Sequence, residues 1–200
     1  MGRNNLEQEG GHIVAIEELQ AIMNTLKNTE GALVVEDLTF PYYGFRSKCT
    51  LKGGTKLHLG CGNLYQLGWT NIDQDLQCKA DVYCELRVLM KDCGKETIDW
   101  IFADNVVEHL PQIDIVEFFR NIHKSLKPNG VFELIVPLFP TRSAVIDPTH
   151  LSYYVPETFL RFTKKFWTDI AQSNGYGFYF KLVHCLQINE REIYVRLEKE

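Results

Sequence analysis

The chain has 200 residues, 45% of them apolar and 24% charged, with a formal net charge of −5. That length suits one domain, two at most, and buries roughly 70% of the extended surface. The acidic balance, with no basic run beyond the pair Lys164-Lys165, disfavours nucleic acid, and no stretch of about eighteen apolar residues predicts a membrane span.

In chain order, residues 1–11 are polar and read as loose, with no signal-peptide core, so a cytoplasmic protein is expected. From His12 to Lys27 the apolar positions Ile13, Ile16, Leu19, Ile22, Met23 and Leu26 recur at helical spacing. Residues 32–54 are aromatic and broken by Pro41 and Gly44; they read either as a lid or as plain core cover. Residues 1–54 thus form an N-terminal extension to a domain over 55–200.

That domain opens with a short apolar strand at about 55–60, which runs into Gly60-Cys61-Gly62-Asn63. A short helix is expected before Gly68, then a second strand from Trp69 to Asp73. Glycines at the turn let backbone approach a ligand without an intervening Cβ. A carboxylate ending the next strand can accept from ribose hydroxyls. Strand, glycine turn, strand and acid together are a stronger signal for a nucleoside-bearing cofactor than a lone GxG.

Asp81 to Tyr83 suggests a brief third strand, and residues 87–97 a connection with a helical turn. Residues 98–103 are apolar without alternation, which predicts a strand buried on both faces. A helix is expected from Pro111 to about Ser125, with Ile115, Phe118, Phe119 and Ile122 on one side. Leu126 to Gly130 reads as a stop and turn, and 131–136 as a buried strand. The long connection 137–155 carries Pro140, Asp147-Pro148, His150 and Tyr153-Tyr154; such length in a compact domain usually serves function. A helix from Pro156 to about Gln172 and strands over 176–188 and 191–198 complete the chain. The last two read as an antiparallel hairpin appended to a parallel sheet. Cys49, Cys61, Cys78, Cys84, Cys93 and Cys185 form no CxxC pair or zinc spacing, so free thiols are expected.

In this order the pieces LHLGCG (57–62), GWTNID (68–73), ADVYCEL (80–86), IDWIFADNVVEHL (98–110), LKPNGVFELIVP (126–137) and DPTHLSYYVPETF (147–159) carry a resemblance. Over residues 55 to 198 the chain resembles the class I S-adenosylmethionine-dependent methyltransferases. The resemblance implies an α/β, Rossmann-like three-layer sandwich: a mostly parallel seven-stranded sheet ending in an antiparallel hairpin. It implies S-adenosyl-L-methionine as cofactor, with Leu59, Gly60, Cys61, Gly62 and Asn63 along its methionine part and Asp73 on the ribose. Glu85 and Leu86 would lie near the adenine, and Asp104 and Asn105 near the methyl donor. Glu108-His109 matches an "EH" of the same group. Two departures stand out: only two glycines of the usual three are present, and the stretch from Gly60 to Asp73 is short.

Each site residue also has a plainer reading. Glu85 suits a helix cap as well as a ligand. His109 can take a proton or lock its loop by bonding backbone, and His150 can meet substrate or pair with Asp147. His58, inside the first strand, reads as structural. Methyl transfer needs alignment and water exclusion more than a loud catalytic motif, although a hydroxyl acceptor profits from a base. The sequence therefore predicts methyl transfer to a small-molecule acceptor, a hydroxyl of a sugar or similar metabolite, with His109 and His150 as candidate catalytic groups and no metal. The alternatives are a protein or N-methyltransferase, a non-catalytic cofactor-binding partner, and a nicotinamide-dependent oxidoreductase.

Overall fold

A computed structural model of the protein describes residues 55–169 and 175–200, without the side chains of Asp92 and Trp167 to Asp169. The helix expected over 12–27, the segment 32–54 and the end of the helix expected to reach Gln172 lie outside the described residues.

The strands are β1 (Lys56–Leu59), β2 (Thr70–Asp73), β3 (Val82–Tyr83), β4 (Ile98–Asp104), β5 (Leu126–Pro137), β6 (Phe180–Ile188) and β7 (Glu192–Lys199). They form one sheet in the order β3-β2-β1-β4-β5-β7-β6. Pairing is parallel from β3 through β5 and antiparallel for β5–β7 and β6–β7. This is the mostly parallel seven-stranded sheet with a C-terminal antiparallel hairpin. Helices α1 (Leu86–Asp92) and α2 (Ile115–Ser125) follow β3 and precede β5. Three short ones, α3 (Arg142–Val145), α4 (Pro156–Leu160) and α5 (Lys164–Asp169), lie between β5 and β6. Among the described residues no helix is long and apolar enough to cross a membrane.

The core follows from the apolar runs. In β4 and from Val131 to Pro137 in β5 nearly every side chain is buried, as strands with both faces covered require. Helix α2 lays Ile115, Phe118, Phe119 and Ile122 on this sheet, and Phe119 stacks on Phe162 at 4.2 Å between ring centroids. A buried polar knot ties the sheet's centre to its hairpin. Glu133 of β5 accepts from Trp100 Nε1 (2.8 Å), Tyr194 OH (2.7 Å) and Arg196 Nη1 (2.9 Å).

Three elements differ from expectation. No helix forms between Asn63 and Gly68. The side chain of Asn71, fully buried, holds this loop instead: its Oδ1 accepts from Gln66 N–H (2.8 Å), and its Nδ2 donates to Gln66 O (2.9 Å) and Trp69 O (3.1 Å). His58 Nδ1 bonds the same Oδ1 at 3.2 Å, so this buried histidine serves the loop's anchor. The segment Leu126 to Gly130 does not stand outside the sheet. Ile98 pairs with Leu126 and Trp100 with Val131, so β5 advances five residues while β4 advances two, a bulge turned by Asn129 at φ 61°. The helix expected from Pro156 is cut at residues 161–163. Thr163 donates its hydroxyl to Leu160 O (2.7 Å) and accepts from Phe166 N–H (3.3 Å), closing α4 and capping α5.

Candidate functional site

The C-terminal ends of β1, β2 and β4 meet at one edge, where open parallel sheets place their ligands. β1 ends at Leu59, which is fully buried beneath the turn that follows. Gly60 and Gly62 then adopt φ +60° and +46°, a left-handed region costly for residues with a Cβ. The turn is fastened to β2: Cys61 N–H donates to Ile72 O (3.0 Å), and Gly62 N–H donates to Asp73 Oδ2 (2.7 Å). Asp73 Oδ1 accepts from Asp75 N–H at 2.9 Å.

The two glycines face different surroundings. A Cβ on Gly60 would lie 2.3 Å from Val106 Cγ2, whereas one on Gly62 would meet nothing within 4 Å. Gly60 is thus needed for packing, and Gly62 borders open space. The Cys61 thiol is buried, and that burial, with the charge of Asp73 beside it, pushes its pKa up to about 11. It therefore remains a neutral lining group. Asn63 is exposed next to it.

Glu85 caps α1. Its Oε1 accepts from Arg87 N–H (3.0 Å) and Arg87 Nε (2.8 Å). Burial pushes its carboxyl up, but the Arg87 bonds outweigh it and hold the carboxyl below its ordinary range. Leu86 packs partly buried against the core. At the end of β4, Asp104 Oδ1 accepts from Asn105 Nδ2 (2.9 Å), and Asn105 turns at φ 52°. Burial, then the nearby charge of Glu192, raises Asp104 to about 6.

Beyond Asn105, a 3-10 turn over Val107–His109 carries a second group of side chains. The long connection after β5 folds back onto it. Leu151 N–H (2.8 Å) and Ser152 N–H (3.0 Å) donate to Glu108 O, Ser152 Oγ to Leu110 O (2.7 Å) and Tyr154 OH to Val107 O (3.1 Å). This clamp brings His150 to His109, with ring centroids 4.9 Å apart. His109 Nδ1 lies 3.3 Å from Thr149 O and 3.1 Å from Thr149 Oγ1; His150 Nδ1 lies 2.9 Å from Ala144 O. A carbonyl can only accept, so each Nδ1 carries a proton, and in the neutral ring Nε2 then holds the lone pair. Thr149 Oγ1 donates to Asp147 Oδ1 (2.6 Å), which leaves it as an acceptor for His109. The pairing considered for Asp147 and His150 is loose, at 4.0 Å.

Glu108 lies beside these rings. Its side chain is 1% exposed, and among the described residues neither carboxylate oxygen has a hydrogen-bond partner. Burial, with the charges of Asp104, Glu192 and Asp147 behind it, raises its pKa to about 8. One ligand atom each from Glu108, His109 and His150 falls within 4.8 Å of the others. The sequence reading quoted Glu108 beside His109 without assigning it chemistry. The signal was the apolar flank of Val106, Val107 and Leu110, all of which are buried around it. A cavity of about 520 Å³, lined in part by Ser152, Tyr154, Arg161 and Phe162, opens elsewhere and contains no residue of the glycine turn.

No protein-family model matches this chain, and no curated protein matches it. Solved structures do. The chain is similar to an S-adenosylmethionine-dependent methyltransferase from Archaeoglobus fulgidus, with 16% identity and TM-score 0.54, covering 74% of this chain and 87% of that one. A second such enzyme, from Aquifex aeolicus, gives 16% identity and TM-score 0.50 over 74% and 83% of the two chains. A third is phosphoethanolamine N-methyltransferase 1 of Haemonchus contortus, solved with phosphoethanolamine and S-adenosylhomocysteine. It gives 11% identity and TM-score 0.52 over 73% of this chain and 39% of that one. The chain has the class I S-adenosylmethionine-dependent methyltransferase fold.

Proposed function

We propose that this protein transfers a methyl group from S-adenosyl-L-methionine to a small-molecule acceptor, most simply a hydroxyl of a sugar or similar metabolite. One observation carries the reading: the Gly62 amide is bonded to Asp73 at 2.7 Å, which joins an open glycine turn to an acidic strand end. The residues fit the cofactor. Gly62 borders free space that a Cβ would enter, and each Asp73 oxygen keeps a second acceptor position beyond its one backbone donor. In this reading Gly60, Gly62 and the backbone of Leu59, Cys61 and Asn63 border the methionine part, and Asp73 takes the ribose hydroxyls. Glu85 and Leu86 border the adenine. Asp104 and Asn105 wall the donor end.

When bound, the cofactor supplies a methyl carbon on a sulfonium leaving group, so the protein's task is alignment and exclusion of water. The acceptor class follows from the second cluster. A neutral amine needs no base, but a hydroxyl must lose its proton, and the Nε2 lone pairs of His109 and His150 are available to take it. The Haemonchus neighbour was solved with an amine-bearing ligand, so likeness of fold does not choose between amine and hydroxyl. The paired imidazoles favour the hydroxyl.

Calorimetry with S-adenosylhomocysteine and a labelled-methyl screen over sugars, phenols, amines and peptides test the reading. Asp73→Asn should weaken S-adenosylhomocysteine roughly 10–100-fold, the loss of a charged acceptor. Label should enter a hydroxyl compound, and turnover should fall in His109→Ala and His150→Ala. Failure of the folded protein to bind S-adenosylhomocysteine overturns the proposal; transfer to amines alone overturns its acceptor class.

A further inference from the structure

Glu108, His109 and His150 present an unusual balance of hydrogen-bonding capacity. All three can act as acceptors once Glu108 gives up its proton. The carboxylate of Glu108 is enclosed without a donor among the described residues, and both imidazoles have their Nδ1 protons committed to Thr149 and Ala144. Fixing an imidazole by an Nδ1–H bond to a backbone carbonyl is how metal-binding histidines are commonly oriented. The surrounding charge has the same sense, since Asp104, Glu192 and Asp147 all act on Glu108. Glu108 is the costly member, because a buried polar group without a partner is penalised, and at a pKa of about 8 it holds a proton that a bound cation would displace. A cation satisfies all three at once.

We infer that Glu108, His109 and His150 form a binding site for a divalent first-row transition cation such as Mn²⁺, Fe²⁺, Co²⁺ or Zn²⁺. Two imidazoles and one carboxylate suit these ions better than Mg²⁺ or Ca²⁺, which prefer oxygen throughout. The three ligand atoms lie within 4.8 Å of one another. Ligands at about 2.1 Å from one ion sit roughly 3–3.5 Å apart, so the three side chains would close by about 1 Å to hold it. With three protein ligands, coordination positions remain for solvent or substrate oxygen. The sequence offered no sign of this, because it held no pair of carboxylates at a definite spacing. The set is assembled by the clamp between residues 107–110 and 149–154.

The site stands on its own geometry, but its role rests on the proposed methyl transfer. An acceptor hydroxyl bound to the ion is acidified and sheds its proton to solvent or a neighbouring carboxylate. Without the ion the imidazoles are the bases of the proposed transfer; with it they would serve as its ligands, and both routes call for a hydroxyl acceptor. The one competing cluster among the described residues joins Cys61 of the glycine turn, Asp73 at the end of β2 and Cys78, and an ion bound there would carry thiolate ligands.

The test is a titration of the chelator-treated full chain with Co²⁺, read by visible absorbance, alongside S-adenosylhomocysteine affinity and thermal melting. A single equivalent should bind with d–d bands and no thiolate-to-cobalt charge transfer. Glu108→Gln and His150→Ala should each weaken Co²⁺ roughly 100-fold or more. S-adenosylhomocysteine affinity should stay within about twofold in both, which shows that they fold. Absence of Co²⁺ binding at roughly 1 mM by wild-type protein that binds S-adenosylhomocysteine overturns the cation site alone. So does a thiolate band, or unchanged affinity in both variants. Co²⁺ binding that depends on Glu108 and His150 in a protein that never binds S-adenosylhomocysteine keeps the site and overturns the methyl-transfer reading.

Discussion

The two glycines of the turn look alike in sequence and are needed for different reasons. Gly60 is packed: a methyl there meets Val106 Cγ2 at 2.3 Å, and Val106 cannot move freely because it leads into the turn that carries Glu108. Gly62 is open, so a methyl costs only the left-handed backbone, about 1 kcal/mol. Gly60→Ala should therefore destabilise the protein by about 2–4 kcal/mol, combining overpacking and backbone strain. Gly62→Ala should cost about 1 kcal/mol of stability, yet remove most S-adenosylhomocysteine affinity, because its methyl enters the space assigned to the ligand. Urea unfolding and calorimetry on both variants separate these outcomes. Equal destabilisation, or undiminished affinity in Gly62→Ala, would contradict the assignment. Asp73 and the glycines were legible in the sequence because strand, turn and acid are local and fall within a few turns of chain. Glu108 was less so: its apolar neighbours Val106, Val107 and Leu110 signal burial, but the lack of a donor is set by the fold.

At the scale of elements, the antiparallel hairpin is joined to the parallel sheet by more than backbone pairing. Glu133 sits on β5 with Trp100 of β4 on one side and Tyr194 and Arg196 of β7 on the other, and the Glu133–Arg196 pair is under one tenth exposed. Removing one member of such a pair leaves a buried charge, so Arg196→Met should destabilise by about 3–5 kcal/mol. Glu133→Gln loses the charge but keeps one oxygen to accept from Trp100, while its NH2 can donate to the Tyr194 hydroxyl oxygen. Adding it to Arg196→Met should restore about 2 kcal/mol, and urea denaturation of the full cycle measures the coupling. Strict additivity would mean that the network contributes no charge pairing. The hairpin was legible from its two apolar runs around Asn189-Glu190, as were β4 and α2 from theirs. The elements misread were those decided by a single side chain: Asn71 holds open the loop where a helix was expected, and Thr163 divides the helix after Pro156. The pairing of Leu126 with Ile98 was hidden for a related reason, because Pro128, Asn129 and Gly130 spell a turn, and here the turn is a bulge within a strand.

The whole sheet is uneven in a way that suits its use. Its middle, β1, β4 and β5, is covered on both faces, with Leu59, Ile101, Ala103, Phe132 and Leu134 all fully buried. One edge is slight: β3 has two residues, and Val82 and Tyr83 are 37% and 45% exposed. The candidate cofactor turn lies between, carried by β1 and fastened to β2, so it joins a rigid strand to a weakly protected one. Amides open locally with free energies that track burial. Native-state hydrogen exchange should therefore find the amides of Ile101 to Ala103 and Phe132 to Leu134 slowest, opening only with global unfolding, and those around β3 fastest. The Gly62 amide should exchange at an intermediate rate, because its acceptor Asp73 ends β2, beside that weak edge. Saturating S-adenosylhomocysteine binds only the folded turn and should slow Gly62 and its neighbours by up to about 100-fold at 100 times the dissociation constant. The Phe132 to Leu134 amides should slow by the same factor if they exchange through global unfolding, whereas the β3 amides, which can open while the turn stays closed, should change little. Protection that rises at β3 as strongly as at Gly62 would show that the edge and the turn open as one unit. Unchanged exchange at Gly62 would place the ligand away from the turn.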